Sequence, residues 1–173
     1  MLEAAIFVIF PFCMAFAAVS DMLSMTIANR VSVLLIVAFL VIAPFTGMAW
    51  STIGLHLAAV AAVLAVTFAL FAIGGMGGGD AKLIAATSIW FGFSPALVEY
   101  LALASVVGGA LTLAILSFRN SPLSLIGGNN LFLKHFANTK VGVPYGIALG
   151  VAGLLAFPQS PLTQWAIEKV SAF

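Results

Sequence analysis

Hydrophobic residues in this chain form long unbroken runs rather than the spaced stripes of a water-soluble helix, and polar residues gather between the runs. A bilayer core about 30 Å thick is crossed by roughly 17 to 25 apolar residues in a helix. By that measure six stretches predict membrane helices: residues 4–20, 31–45, 53–73, 83–98, 100–118 and 141–157. The fourth is interrupted by Gly92 and Pro95, and the second, fourth and sixth lie near the short limit. A β-barrel is excluded, because its strands alternate polar and apolar residues and these runs are apolar all round. After Pro161, the spacing of Leu162, Trp165, Ala166, Val170 and Phe173 marks one face of a short helix. That helix is expected on the outer membrane surface, with Trp165 at headgroup level.

Composition agrees with the pattern. Of 173 residues, 64% are hydrophobic and 6% charged, too few polar groups to cover a soluble domain. The fold class expected is therefore an all-α integral membrane protein, a bundle of about six transmembrane helices in a lipid bilayer. No stretch has linker composition, so residues 1–173 read as a single polytopic domain. The opening Met1-Leu2-Glu3 is acidic where a secretory signal is basic, which predicts a retained first helix. Cys13 is the sole cysteine and His56 and His135 stand apart, so no disulfide, metal site or cofactor is expected. A net charge of +1 gives no reason to expect nucleic acid as a partner.

The placement of charge is more informative than its sum. Arg30, Lys82, Arg119, Lys134 and Lys140 fall on the first, third and fifth connections, and Lys169 alone falls on the other side. Cytoplasmic loops carry the Lys/Arg excess, so those connections are expected inside and both termini outside. Glu3, Glu99 and Glu168 then face outward, and His56 is expected at the outer interface. In the long connection 119–140, Leu131, Phe132, Leu133 and Phe136 are expected in the interface or along a substrate path.

Only two aspartates occur, Asp21 and Asp80, and both lie at the cytoplasmic ends of predicted spans. Charged groups at membrane depth are costly and tend to mark sites. Asp80 follows six residues of which five are glycine, Gly74 to Gly79, a run that lets the backbone approach other chain closely. A helix cap at Asp80 with Lys82 as a membrane anchor is the plainer alternative. Phosphate-loop and dinucleotide motifs both fail, since Asp80 occupies the position where a lysine or a third glycine belongs.

Gly77-Gly78-Gly79-Asp80-Ala81-Lys82 resembles the GxGD-x-K motif of type IV prepilin peptidases, aspartic proteases embedded in bacterial and archaeal membranes. Asp21 with Ile27-Ala28-Asn29 is similar to that family's first aspartate and downstream Ile-Pro-Asn, departing from it at Ala28. Pro144-Tyr145-Gly146 is similar to its late Pro-Tyr-Gly segment. The likeness is to the short form associated with tight-adherence (Flp) pili, without the four-cysteine cytoplasmic domain and N-methyltransferase activity of long members.

The resemblance implies a multi-pass inner-membrane endopeptidase whose termini are periplasmic and whose active site faces the cytoplasm. It would remove leaders from Flp-type prepilins and pseudopilins after a glycine. Asp21 and Asp80 would be the catalytic pair, with Gly77, Gly79, Lys82, Asn29, Pro144 and Tyr145 shaping the motif or positioning substrate. Two carboxyl groups held close share one proton, so one can activate water while the other protonates the carbonyl. Helix-end electrostatics assign the resting proton to Asp21 and water activation to Asp80. On residue chemistry alone, Lys82 is expected to anchor a helix end and Asn29 to cap one, while Gly146 and Gly150 serve packing. Two other classes stay open: a small proton-coupled transporter or channel using Asp80, and a non-catalytic pilus-assembly subunit.

Overall fold

The computed structural model describes residues 1–122, 136, 138 and 142–172, and among these every regular element is helical. In chain order the helices are α1 (Leu2–Ser24), α2 (Asn29–Phe45), α3 (Trp50–Ala72), α4 (Gly78–Phe91), α5 (Pro95–Arg119), α6 (Tyr145–Ala156) and α7 (Pro161–Ser171). A 3₁₀ turn, Phe157–Gln159, joins the last two. Leu131, Phe132, Leu133, Lys134, His135, Lys140 and Phe173 lie outside the described residues.

Local chemistry sets the helix ends. Met25 closes α1 in the left-handed region at φ 54°, and its N–H donates to the Asp21 carbonyl at 2.8 Å. Gly92 closes α4 at φ 60°, a conformation open to glycine, and Pro95 starts α5 in the first turn where proline lacks no needed donor. The fourth predicted span is corrected accordingly: the helix stops at Phe91, and residues 95–98 belong to α5. Ser160 caps α7 by accepting from the Thr163 N–H at 3.3 Å.

Helix α4 is the centre of the bundle, packed against α2, α3 and α6, while α1 lies on α6, α2 and α7. Every residue of α4 from Leu83 to Phe91 is buried, including Thr87 and Ser88, whose hydroxyls donate to the Leu83 and Ala85 carbonyls of the same helix. Phe10 of α1 stacks on Phe157 at 4.7 Å and meets Trp90 at 5.1 Å, and the Trp90 indole donates to the Leu35 carbonyl at 3.0 Å. These contacts tie α1, α2 and α4 together. Large apolar side chains such as Val8, Phe12, Val37, Phe68, Val106 and Leu113 point outward, the surface a bilayer requires.

Among the described residues three helices, α1, α3 and α5, are long and apolar enough to cross a membrane. A fourth qualifies if the segment from Tyr145 to Gln159 and α7, bent by 49°, form one span. The predicted runs thus appear as helices in the expected order, but α4 has 14 residues and α2 has 17, so not all reach full span length. The chain is an all-α membrane protein.

Two expectations are corrected. His56 is not interfacial: it is 4% exposed, its Nδ1 lies 2.6 Å from the Ile89 carbonyl, and its ring stacks on Phe39 at 4.8 Å. It satisfies one of the carbonyls that the end of α4 leaves without an intrahelical partner. Helix α7 does not simply lie on a membrane surface, since Leu162 and Ala166 are fully buried and α7 packs on α1. Val170, expected on the same face, is 58% exposed.

Candidate active site

Asp21 sits in the last turn of α1, and Asp80 in the first turn of α4. Although 59 positions apart in sequence (80 minus 21), both line the same two cavities and are close enough to interact electrostatically. The smaller cavity, about 290 Å³, includes Thr26, Asn29, Gly79 and Lys82 in its wall. The larger, about 770 Å³, extends between α3 and α5 past Thr67, Ser105 and Tyr145. Asp21, Met25, Gly77 and Asp80 belong to both, so the carboxyl groups stand where the cavities meet.

Each carboxyl group is held by a main-chain N–H at a helix start. The Gly146 N–H, one of the first-turn donors of α6 that has no intrahelical acceptor, reaches Asp21 Oδ2 at 2.7 Å. Asp21 is 5% exposed, so this bond offsets part of the cost of removing a carboxyl group from water. Asp80 is the third residue of α4 and turns back toward the N–H of Gly77, the N-cap residue. The helix-capping alternative is therefore met in part, yet the same carboxyl group also lines both cavities.

Close approach explains two of the motif glycines. A Cβ on Gly77 would lie 2.7 Å from Asp80 Oδ2, although the Gly77 backbone, at φ −71° and ψ 142°, suits any residue. A Cβ on Gly146 would lie 2.8 Å from Asp21 Cβ and 2.9 Å from its Oδ2.

A model of the type IV leader peptidase family matches residues 8–113, a stretch that contains both aspartates and the glycine run. The chain belongs to the type IV leader peptidase family. Comparison with curated proteins and with solved structures gives no match. Membership makes the chain a membrane-embedded peptidase of leader-processing type.

The remaining predicted residues of this leader peptidase divide into two groups. Lys82 and Asn29 come together in the smaller cavity, the Lys82 ammonium donating to Asn29 Oδ1 at 3.2 Å. Asn29 does not cap α2, for Ala28 is the N-cap residue and no side chain caps that end. Lys82 is exposed and links the starts of α2 and α4 rather than reaching into open solvent alone. Gly79 packs against Ile27, whose side chain also abuts Gly146. Ala28 adopts φ −66° and ψ 129°, an angle proline would impose, so the turn keeps its shape without the ring.

Pro144 is buried as the N-cap residue of α6, and Tyr145 lines the larger cavity with its ring against Gly108. Both lie beyond the matched residues. Sequence reasoning assigned Gly146 to packing and missed its N–H as the partner of Asp21. The available signal was its place two residues after Pro144, where a helix start exposes free donors. Gly150 does pack as expected, its Cβ position lying 2.8 Å from the Met14 carbonyl oxygen. Among the described residues no group of His, Cys, Asp and Glu could hold a metal ion.

Proposed function

We propose that this leader peptidase is an aspartic endopeptidase in which Asp21 and Asp80 act together on one water. The observation that carries it is the convergence of the chain's only two aspartates on one wall shared by two cavities, each supported by a helix-start N–H. Two adjacent carboxyl groups hold a single proton between them. The ionised member takes a proton from water as the oxygen attacks the scissile carbonyl carbon. The protonated member gives its proton to the carbonyl oxygen, forming a neutral gem-diol. Collapse of that intermediate breaks the C–N bond as the amine leaves with a proton, and the pair returns to its starting state.

The end of α1 and the start of α6 act on Asp21 in opposite senses, so the resting proton is assigned to the pair rather than to Asp21 alone. The substrates proposed are prepilins and pseudopilins of Flp type, cut after the glycine that ends the leader. With the Lys/Arg excess inside, the dyad faces the cytoplasm of a bacterial inner membrane and the termini are periplasmic. No cofactor enters the scheme, and residues 1–173 act as one peptidase domain. A transporter is disfavoured, because among the described residues the lining of the larger cavity has no carboxylate, histidine or lysine beyond Asp21 and Asp80 to relay a proton onward.

The test is cleavage of a purified Flp-type prepilin by wild type, Asp21→Asn and Asp80→Asn. Both variants are expected to lose cleavage while remaining folded. Cleavage persisting in either removes the dyad.

A further inference from the structure

The larger cavity has a direction. On α5 its wall is made by Leu101, Ala104, Ser105 and Thr112, positions that recur on one helix face. On α3 the facing wall is Val66, Thr67 and Leu70, again one face. Tyr100 stacks on Phe91 at the far end of α4 from Asp80, so Leu101 lies deep in the bundle and Thr112 lies nearer the carboxylates. Eleven residues separate Leu101 from Thr112 (112 minus 101), about 16 Å of helix at about 1.5 Å per residue. The cavity is therefore a groove about three turns long that begins at the dyad and follows a membrane-spanning helix inward.

The walls do not close on each other. Helix α3 packs on α4 and α5 packs on α6, while α3 and α5 share no substantial interface. Both are long and apolar enough to cross a bilayer, and among the described residues no helix fills the gap between them on the side that would face lipid. Val66 of the α3 wall, and Phe68 and Val106 next in sequence to wall residues, are exposed apolar side chains.

The chemistry of the walls selects the occupant. Among the described residues, Asp21 and Asp80 are the only charged groups in the lining. Three of the four hydroxyls in the described lining are engaged within their own helices: Thr67 donates to the Val63 carbonyl at 2.9 Å, Ser105 to Leu101 at 2.8 Å and Thr112 to Gly108 at 2.8 Å; the fourth is the phenol of Tyr145, at the start of α6. Between α3 and α5 the described wall carries no charge and its serine and threonine hydroxyls are spent within their own helices, so it offers an ion or an extended polar peptide few partners and would strand the peptide's backbone groups. It suits a helix whose backbone bonds are internal. At the dyad end the lining changes to Gly74, Gly75, Met76 and Gly77, main chain that can accompany a peptide as it unwinds. A helical amide must unwind before water can attack it.

We propose that the groove between α3 and α5 receives the apolar transmembrane helix of the substrate from the side. Its unwound amino-terminal end passes the dyad, and the leader residues next to the bond enter the smaller cavity beside Asn29 and Lys82. This assignment rests on the peptidase function proposed above and adds to it the binding site and polarity of the substrate. Ser105 and Ala104 are then specificity residues, which touch the mature helix and take no part in bond breaking.

The test uses the full-length protein with an Flp-type prepilin carrying its complete apolar helix. A benzophenone amino acid is placed at Ser105, or at Leu113 on the exposed face of α5, in the Asp80→Asn background. Ultraviolet light is expected to attach the Ser105 position to the apolar segment of the prepilin at least tenfold more than the Leu113 position. In the catalytically intact protein, Ser105→Trp is expected to raise KM at least tenfold with kcat within twofold, and Leu113→Trp to change neither by more than twofold. Ser105 adducts only with lipid, a second copy of this chain or the chain itself overturn the groove assignment, as does an unchanged KM in Ser105→Trp. Failure of wild type to cleave the prepilin overturns the peptidase proposal instead, so the two failures are distinguishable.

Discussion

Replacing Gly146 with alanine inserts a methyl group into the contact that holds Asp21. A Cβ on this backbone lies 2.8 Å from Asp21 Cβ, 2.9 Å from Asp21 Oδ2 and 3.0 Å from Ile27 Cδ1. Carbon atoms in contact settle at about 3.5 to 4.0 Å, so Asp21 or the start of α6 must retreat by roughly 0.7 to 1.2 Å. Neither is free to do so at low cost, because Asp21 is 5% exposed and Ile27 also packs on Gly79. Overpacking of this kind costs about 1 to 3 kcal/mol of stability. A misplacement of about 1 Å lowers the rate about 10²-fold, equivalent to about 2.7 kcal/mol in the barrier. Initial rates of prepilin cleavage are therefore expected to show kcat reduced about 10²-fold in Gly146→Ala, with KM changed less than about threefold. Gly109→Ala is the matched control, since a Cβ there meets nothing within 4 Å and a helical alanine is favoured over glycine. A folded Gly146→Ala protein with kcat within about threefold of wild type refutes the positioning of Asp21 by α6.

Other substitutions separate shape from chemistry. Gly77→Ala leaves the backbone at an ordinary φ of −71° but displaces Asp80 Oδ2, so cleavage is expected to fall at least about tenfold with helix content by circular dichroism unchanged. Ala28→Pro fits the φ of −66° already present and is expected to raise stability by about 0.4 to 1 kcal/mol, read as a higher melting temperature with cleavage retained. His56→Ala leaves the buried Ile89 carbonyl without its partner and removes the stack on Phe39; a loss of about 1 to 3 kcal/mol in thermal stability is expected, with KM unaltered.

The helices and the aspartates were legible in the chain for the same reason: charge and hydroxyl groups are so sparse in an apolar sequence that their positions mark the ends of runs. Asp21 and Asp80 could be paired by resemblance before any contact was known. What sequence could not carry was the role of the main chain. His56 looked interfacial because its partner is a carbonyl 33 positions away, and every residue has a carbonyl. Gly146 looked like packing because its N–H is a donor common to all residues except proline; only the start of α6 leaves that donor free and aims it at Asp21. The fourth run appeared long enough to continue to residue 98, yet Gly92 ended it early, and the run's hydrophobicity could not distinguish a central buried helix from a spanning one.

The short central helix explains how a membrane protein of this size can present two carboxyl groups to water and to an apolar substrate at once. Helix α4 has 14 residues, about 21 Å at about 1.5 Å per residue, so its first turn need not reach the far edge of a core about 30 Å thick. The N–H groups of Gly77, the N-cap residue of α4, and of Gly146 in α6 supply part of what a carboxyl group loses on leaving water. Lys82 points its ammonium at Asn29 in the smaller cavity, so among the described residues the larger cavity has uncharged, mostly apolar walls up to the aspartates. Among the described residues, the two compartments share Asp21, Asp80, Met25 and Gly77. In the proposed mode of binding, a peptide with one polar and one apolar end would be fixed in register by that division, and the bond between its two ends would be the one brought to the carboxylates.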